Sequence, residues 1–470
     1  MSSVASLVAS RTWIASAYRA TTRDEAVGSA TAPVWGRVVC WTIGLYLVFN
    51  YGFMQLRLPS SGAGVPVAEL VLGFALLFAL RVRTVAVFAS VIPVWPFVAW
   101  WFVGICRISF DSIDYGLWAW RDASNLIESL FIIVGLSLGI REGFQEYTIR
   151  WLQRVLAVAG IYALGYPFET ILQEQSPKLI AGAGYELPLF FNFVNTAQML
   201  LLAAAALSVR TIRPTRWRWV GVPILVAYAA AAFQARTIYL QIGAICCLLI
   251  VAGKGRIRPW LGAVVVFCAV LGIISATELE LPGRLGQPIS ATFVIDHLTT
   301  IVGVERDGLE GSAGGVHQRF GWWESIIDRL TSGPKTLLFG LGYGLPLIDF
   351  ESPTGASVRE PHNSLLSTVA RVGIIGVSLW LTMHAFLVNA WLKAWRRARR
   401  LGLAEAEAQL LLYGCYFSLI WILSFAEDGF EKPFNAISYY FLWGVTLAIC
   451  SKVAAATHAR TATVPDVVRR

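Results

Sequence analysis

Arg236, Arg319 and His362 are the residues best suited to chemistry in this chain, because each sets a strongly polar group against apolar sequence. Two guanidinium groups make a clamp for a diphosphate: the planar fork gives bidentate, permanently charged contacts to phosphate oxygens and steadies a leaving charge. An imidazole that titrates near neutral pH takes a proton from an attacking hydroxyl. Neighbouring arginines are expected to depress the pKa of His362 and keep it neutral, as a base must be. Asn363 adds a donor and an acceptor beside it; His317 and His297 are weaker competitors. Plainer roles stand beside these: a snorkelling arginine at a helix end for Arg236, a surface charge for Arg319, and a helix-end hydrogen bond for His362.

Polar groups at membrane depth are costly and so mark functional positions by default. The further ones are Arg121 and Asp122, Asn192 and Asn195, Arg371, and Glu427 and Asp428. Arg371 lies nine residues past His362, about 13 Å deeper on a helix, and is expected to form a buried structural ion pair with Glu427 or Asp428. Asp122 is expected to pair with Arg121 or to act as a second acid or base. Upstream of His362, the run Gly340-Leu341-Gly342-Tyr343-Gly344 allows tight turns or close approach of backbone to a ligand. No metal-ligand spacing, Walker loop, H-E-x-x-H or G-x-S-x-G is present, which leaves a preactivated substrate, or no chemistry at all.

The elements that carry these residues follow from composition. Mean hydropathy is +0.62, with 56% hydrophobic and 14% charged residues, against about 25% charged in a soluble domain. The chain is therefore read as an all-α polytopic bundle with about twelve apolar runs of spanning length, and the alternating pattern of a barrel is absent. Basic clusters recur at every second loop: before the first span, at Arg81 and Arg83, around Arg141–Arg154, at Arg210–Arg218, at Lys254–Arg258 and at Lys393–Arg400. The positive-inside rule places them, and both termini, in the cytoplasm. The net charge of +9 is thus an orientation signal, and the basic C-terminal tail a contact for anionic lipid. No nucleic-acid module is present. The seven cysteines lie in or beside apolar segments and imply no disulfide framework.

The expected organisation is a cytoplasmic tail over 1–36, nine membrane helices over 37–276, an external excursion over 277–361, three further helices over 362–452 and a tail over 453–470. The excursion carries eleven acidic against six basic residues. A structureless loop of that length is unusual, so helices are predicted at 291–304 and 316–330. In the second, Val316, Phe320, Trp323, Ile327 and Leu330 recur at helical spacing, a cap for the bundle or a helix in the lipid interface, and Gly333-Pro334 ends it.

The segment from Arg319 to Gly376, with its arginine before an aromatic helix, its glycine run and His362-Asn363 leading to Gly373-Ile374-Ile375-Gly376, resembles the O-antigen ligase and Wzy-type polymerase superfamily. Arg236 matches the arginine that opens a mid-chain helix there, with Ala235 where a serine is more usual. Phe190-Phe191-Asn192 with Asn195 and Gln198 is similar to another of its segments. The resemblance implies a metal-independent, inverting glycosyltransferase of the bacterial inner membrane with a large periplasmic loop and no cofactor. It implies an undecaprenyl diphosphate-linked glycan as donor, a glycan or lipid A core sugar as acceptor, and membrane lipid as surroundings. Carried over, Arg236, Arg319 and His362 are catalytic, the arginines on the diphosphate and the histidine on the acceptor hydroxyl. Asn363, Arg121, Asn192, Asn195, Trp323, Gly342 and Gly344 are substrate-binding. A ligase differs from a polymerase only in acceptor. A lipid-linked sugar flippase or secondary transporter is the alternative of another class; its site belongs at mid-bilayer on broken helices in paired repeats, whereas these residues cluster at one face.

Overall fold

The computed structural model describes residues 32–58, 64–180, 186–191, 193–212, 215–277, 293, 296–297, 299, 310–351 and 357–462. Asn192, the N-terminal arginines ahead of Arg37, the end of the C-terminal tail and most of the helix expected at 291–304 lie outside them; Phe293, Asp296, His297 and Thr299 are helical.

The described chain is helical apart from three short hairpins. In order the helices are α1 (Val34–Met54), α2 (Val67–Ala79), α3 (Val82–Val91), α4 (Trp95–Tyr115), α5 (Leu117–Asp122), α6 (Ser124–Glu128), α7 (Phe131–Gly139), α8 (Phe144–Leu164), α9 (Glu169–Glu174), α10 (Ala197–Ser208), α11 (Arg218–Phe233) and α12 (Arg236–Ala252). They continue with α13 (Lys254–Thr277), α14 (Glu310–Thr331), α15 (Pro334–Phe339), α16 (Ser364–Leu401), α17 (Ala404–Ala426) and α18 (Pro433–Ala462). Five are long and apolar enough to cross a membrane, or seven spans if the bent pairs α2–α3 and α8–α9 each count as one. The protein is a polytopic helical membrane protein.

Fewer helices reach spanning length than there are apolar runs in the sequence, because several runs are shortened or broken. The 16 residues of α11 extend only about 24 Å at 1.5 Å per residue, less than the ~30 Å of a bilayer core. The 94° turn between α2 and α3 divides another run. Helix α4 has the length, 21 residues, but Arg107, Asp111 and Asp114 interrupt its hydropathy.

The centre of the bundle is α18, packed on α1, α7, α16 and α17. A Cβ at Gly135 of α7 would collide with the Phe441 carbonyl, so this helix and α18 touch backbone to backbone, as small residues allow within a membrane. Every residue of α10 is buried, whereas α13 at the rim exposes Leu261, Val264, Val265 and Ile273, side chains that lipid covers.

Two features position the site. The first is the break in α16 at Gly373, where φ is 67°. A break frees carbonyls that a straight helix would use, and here Leu341 and Gly342 donate their amides to Ala370 and Arg371 at 2.6 and 3.2 Å. Gly340 and Gly373 meet at this joint, and a Cβ on either would strike backbone of the other segment. Gly373→Ala is therefore expected to cost about 1–3 kcal/mol, from left-handed strain plus overpacking. Thermal unfolding in detergent measures it; an unchanged midpoint would reject this account of the joint.

The second feature is α14, which starts earlier than predicted and presents a different face. Ile326 and Leu330 pack with Leu347, Ile348 and Ala370, while Phe320 and Ile327 stay about half exposed. The inward stripe is Arg319, Trp322, Trp323, Ile326 and Leu330, rotated from the apolar stripe expected. The polar bonds made by Arg319 and Trp323 to the bundle decide the rotation, since groups that leave water need partners.

Candidate functional site

Residues 427–432 join α17 to α18, and Glu427 is where distant parts of the chain meet. Arg319, from α14, donates to the Ala426 carbonyl at 2.7 Å and to Glu427 Oε1 at 3.2 Å. His362 Nδ1 lies 3.2 Å from Glu427 Oε2 and 3.1 Å from Asp428 Oδ2. Arg236, opening α12 after a left-handed Gln234 with φ 44°, stands within electrostatic reach of both Arg319 and Glu427. Arg319 and His362, both named from sequence, thus meet at Glu427, with Arg236 in reach of the same carboxylate's charge.

Local structure holds His362 in a strained backbone with φ 53°, a conformation a non-glycine residue keeps only where its surroundings over-determine it. Those surroundings are specific. Trp323 Nε1 donates to the Pro361 carbonyl at 2.8 Å, and the Trp322 ring sits 6.0 Å from the imidazole. Asn363 caps α16, its Oδ1 accepting from Leu366 N at 3.0 Å, while its Nδ2 donates to the Phe425 carbonyl at 3.3 Å. Ser364 Oγ donates to Glu431 and accepts from Phe430 N. Trp323 and Asn363, expected to bind substrate, therefore hold the histidine from either side.

The electrostatics reverse one expectation. Burial disfavours the charged imidazole, but contacts with Asp428 and Glu427 outweigh it and push the His362 pKa up to about 9. His362 is an imidazolium at neutral pH, not a neutral base kept so by arginines, because the carboxylates are in contact. Burial in turn raises the carboxyls of Glu427 and Asp428, and His362 more than offsets it, helped by Arg319 at Glu427 and by Lys432 at Asp428. Glu431 is pushed up to about 8 by burial and by the charges of Asp428 and Glu360.

Behind Glu427 and Asp428 lies a cavity of about 130 Å³. Asn195 lines it, with Gln198 from α10 and Gln241 from α12. Lys432 closes one side, its Nζ 3.7 Å from Asp428 Oδ2 and 5.5 Å from the centre of the Tyr51 ring.

The remaining expected residues form a second polar cluster. Arg371, 3% exposed, pairs with Glu360 and, at 3.0 Å, with Asp122 Oδ2. Its expected partners, Glu427 and Asp428, are held instead by His362, which the chain delivers on the α17 side. Asp122 does not pair with Arg121: it accepts from Arg359 at 3.0 Å and from Gly344 N at 3.1 Å. Arg121 and Arg359 lie over the Trp118 ring at 4.6 and 4.3 Å. The carbonyls of Gly342 and Gly344 accept from Arg371 and Arg359 at 3.1 and 2.8 Å. This cluster fastens the segment after α15 to α5 and α16. Arg371→Met would leave Glu360 a buried carboxylate without its ion pair and Asp122 with Arg359 as its remaining cation, a loss of about 3–5 kcal/mol. It should appear as a large drop in thermal stability in detergent, and wild-type stability would rule out the fastening role.

Sequence reasoning missed Trp322, Arg359, Glu360, Glu431 and Lys432. A usable signal was there for the last two, since Glu427-Asp428-Gly429-Phe430-Glu431-Lys432 puts four charges into six residues between apolar helices.

No curated protein matches the chain. Residues 222–381 match the family model Wzy_C, described as O-antigen ligase. The match takes in Arg236, Arg319 and His362 and ends before Glu427. The chain therefore carries an O-antigen ligase domain over residues 222–381, which makes it a multi-pass membrane glycosyltransferase of the ligase and polymerase type in surface polysaccharide biosynthesis.

Proposed function

We propose that the protein moves a glycan from undecaprenyl diphosphate to an acceptor hydroxyl at the periplasmic face of the inner membrane, in the manner of an O-antigen ligase. The observation that carries this is the convergence of Arg236, Arg319 and His362 around Glu427. Basic loop clusters support the orientation, with about twelve crossings, counting shorter and broken helices, and both termini cytoplasmic. In the transfer, the acceptor oxygen bonds to the anomeric carbon on the face opposite the departing group, inverting it. The bond from that carbon to the phosphate oxygen breaks, and its electron pair leaves on the diphosphate. Charge developing there is met by the two guanidinium groups and the imidazolium, fixed before the reaction begins. The acceptor proton passes to Glu427, the half-buried carboxylate beside them. No step requires a metal.

The test uses purified protein in proteoliposomes with labelled carrier-linked glycan, with and without lipid A core. Label on the lipid A core identifies a ligase. Longer carrier-linked chains formed without the core identify a polymerase. A folded protein that makes neither product, or only moves the carrier lipid between leaflets, would reject the proposal.

A further inference from the structure

The cavity behind Glu427 and Asp428 is lined by groups of a different kind from the arginines in front. Gln198, Gln241, Asn435 and Asn195, all with neutral amides, line it, and Tyr51 adds an aromatic wall. Neutral donors and acceptors beside an aromatic face suit hydroxyl groups on a ring; a phosphate would call for cations, and an isoprenoid chain for an apolar lining. The cation present, Lys432, is engaged with Asp428 and Tyr51.

Two further observations point to a ligand. Gln198 Nε2 donates to Asn435 Oδ1 at 3.1 Å, while its Oε1 is buried with no partner although the residue is only 6% exposed. A buried acceptor left empty is costly, and the residue that carries it lines the cavity. The space, about 130 Å³, is roughly ten times the smallest that holds a water, and smaller than the ~300 Å³ from which drug-sized sites begin. It is on the scale of one sugar ring.

Its position gives that sugar an identity. Ala235 and Thr237, the neighbours of Arg236, line the cavity, as do Glu427 and Asp428. A ring seated there has the diphosphate clamp at one edge and the carboxylate at another. We propose that the cavity is the subsite for the sugar joined directly to the diphosphate, whose anomeric carbon is attacked, and that Gln198 accepts a hydrogen bond from one of its hydroxyl or amide groups. Gln198, Gln241 and Asn435 then set donor specificity, while Arg236 and Arg319 hold any diphosphate alike. The inference rests on the transfer reading above.

The test measures binding to the full-length protein of bare undecaprenyl diphosphate and of the same lipid bearing one sugar, from a panel of glucose, galactose, N-acetylglucosamine and rhamnose. Wild-type protein should bind at least one sugar-bearing lipid about tenfold more tightly than the bare lipid, the size of one or two hydrogen bonds. Gln198→Met should remove most of that ratio and leave bare-lipid affinity unchanged. Asn195→Ala, in a half-buried turn, repeats the test where packing is less at stake. A wild-type ratio of one for the whole panel, or a ratio unchanged in folded variants, would overturn the subsite while leaving glycan transfer intact. Wild-type protein that transfers from no carrier lipid overturns the transfer reading instead.

Discussion

Arg319→Lys should lower kcat/KM for glycan transfer by about 10²–10³-fold, the scale of losing one fixed donor to a developing charge, although the positive charge is kept. Arg319 uses separate nitrogens for separate tasks, one on the Ala426 carbonyl and one on Glu427. A single ammonium on a flexible stem reproduces neither the fork nor its spacing. The donor titration should show the effect in both KM and kcat, because in the proposed transfer the guanidinium binds the diphosphate before and after bond cleavage. With the side chain about a quarter exposed, thermal stability should fall far less than for Arg371→Met. Full activity in the lysine variant would remove Arg319 from the clamp.

The pH profile separates two roles for His362 by sign. If the imidazole were a base, kcat/KM would climb as pH approached its pKa. Acting as an imidazolium facing the diphosphate, it should instead give a profile that falls about tenfold per unit above pH 9, the pKa in the free protein. Bound diphosphate favours the cation further, so the limb in kcat should lie at higher pH than the limb in kcat/KM. Stability follows the same sign. The folded pKa is raised above the ordinary value of 6.5, so the contribution is complete below about 6.5 and is lost as pH rises through 9. His362→Ala should lose transfer by about 10²-fold or more and flatten the alkaline limb. A rate that rises between pH 7 and 9 would restore the base role.

Much of the site was legible because membranes penalise polar groups. Arg236, Arg319 and His362 stood out against apolar sequence; Arg319 and His362 contact Glu427, and Arg236 lies within electrostatic reach of it. Glu427 and Asp428 were singled out for the same reason but given to the wrong cation. Spacing along a helix places Arg371 below His362, yet it says nothing of which loop closes over each. Asp122 and Glu360 reach Arg371 because the segment after α15 folds back onto the Gly373 break. The face of α14 turned on a related point: an apolar stripe packed as a cap on the bundle would bury Phe320 and Ile327, but bonds from Arg319 and Trp323 turned the helix.

The sequence alone determined that the chain is a helical membrane protein, that arginines and a histidine interrupt its apolar sequence, and that the segment after α13 carries helix. These follow from composition, periodicity and the cost of charge in lipid, which are properties of each stretch by itself. Tertiary structure decided the charge on His362, the partners of Arg371 and Asp122, and the amide cavity beside Arg236. Those depend on which groups meet across hundreds of residues, and the field at an ionisable group is set by neighbours in contact rather than by neighbours in the chain.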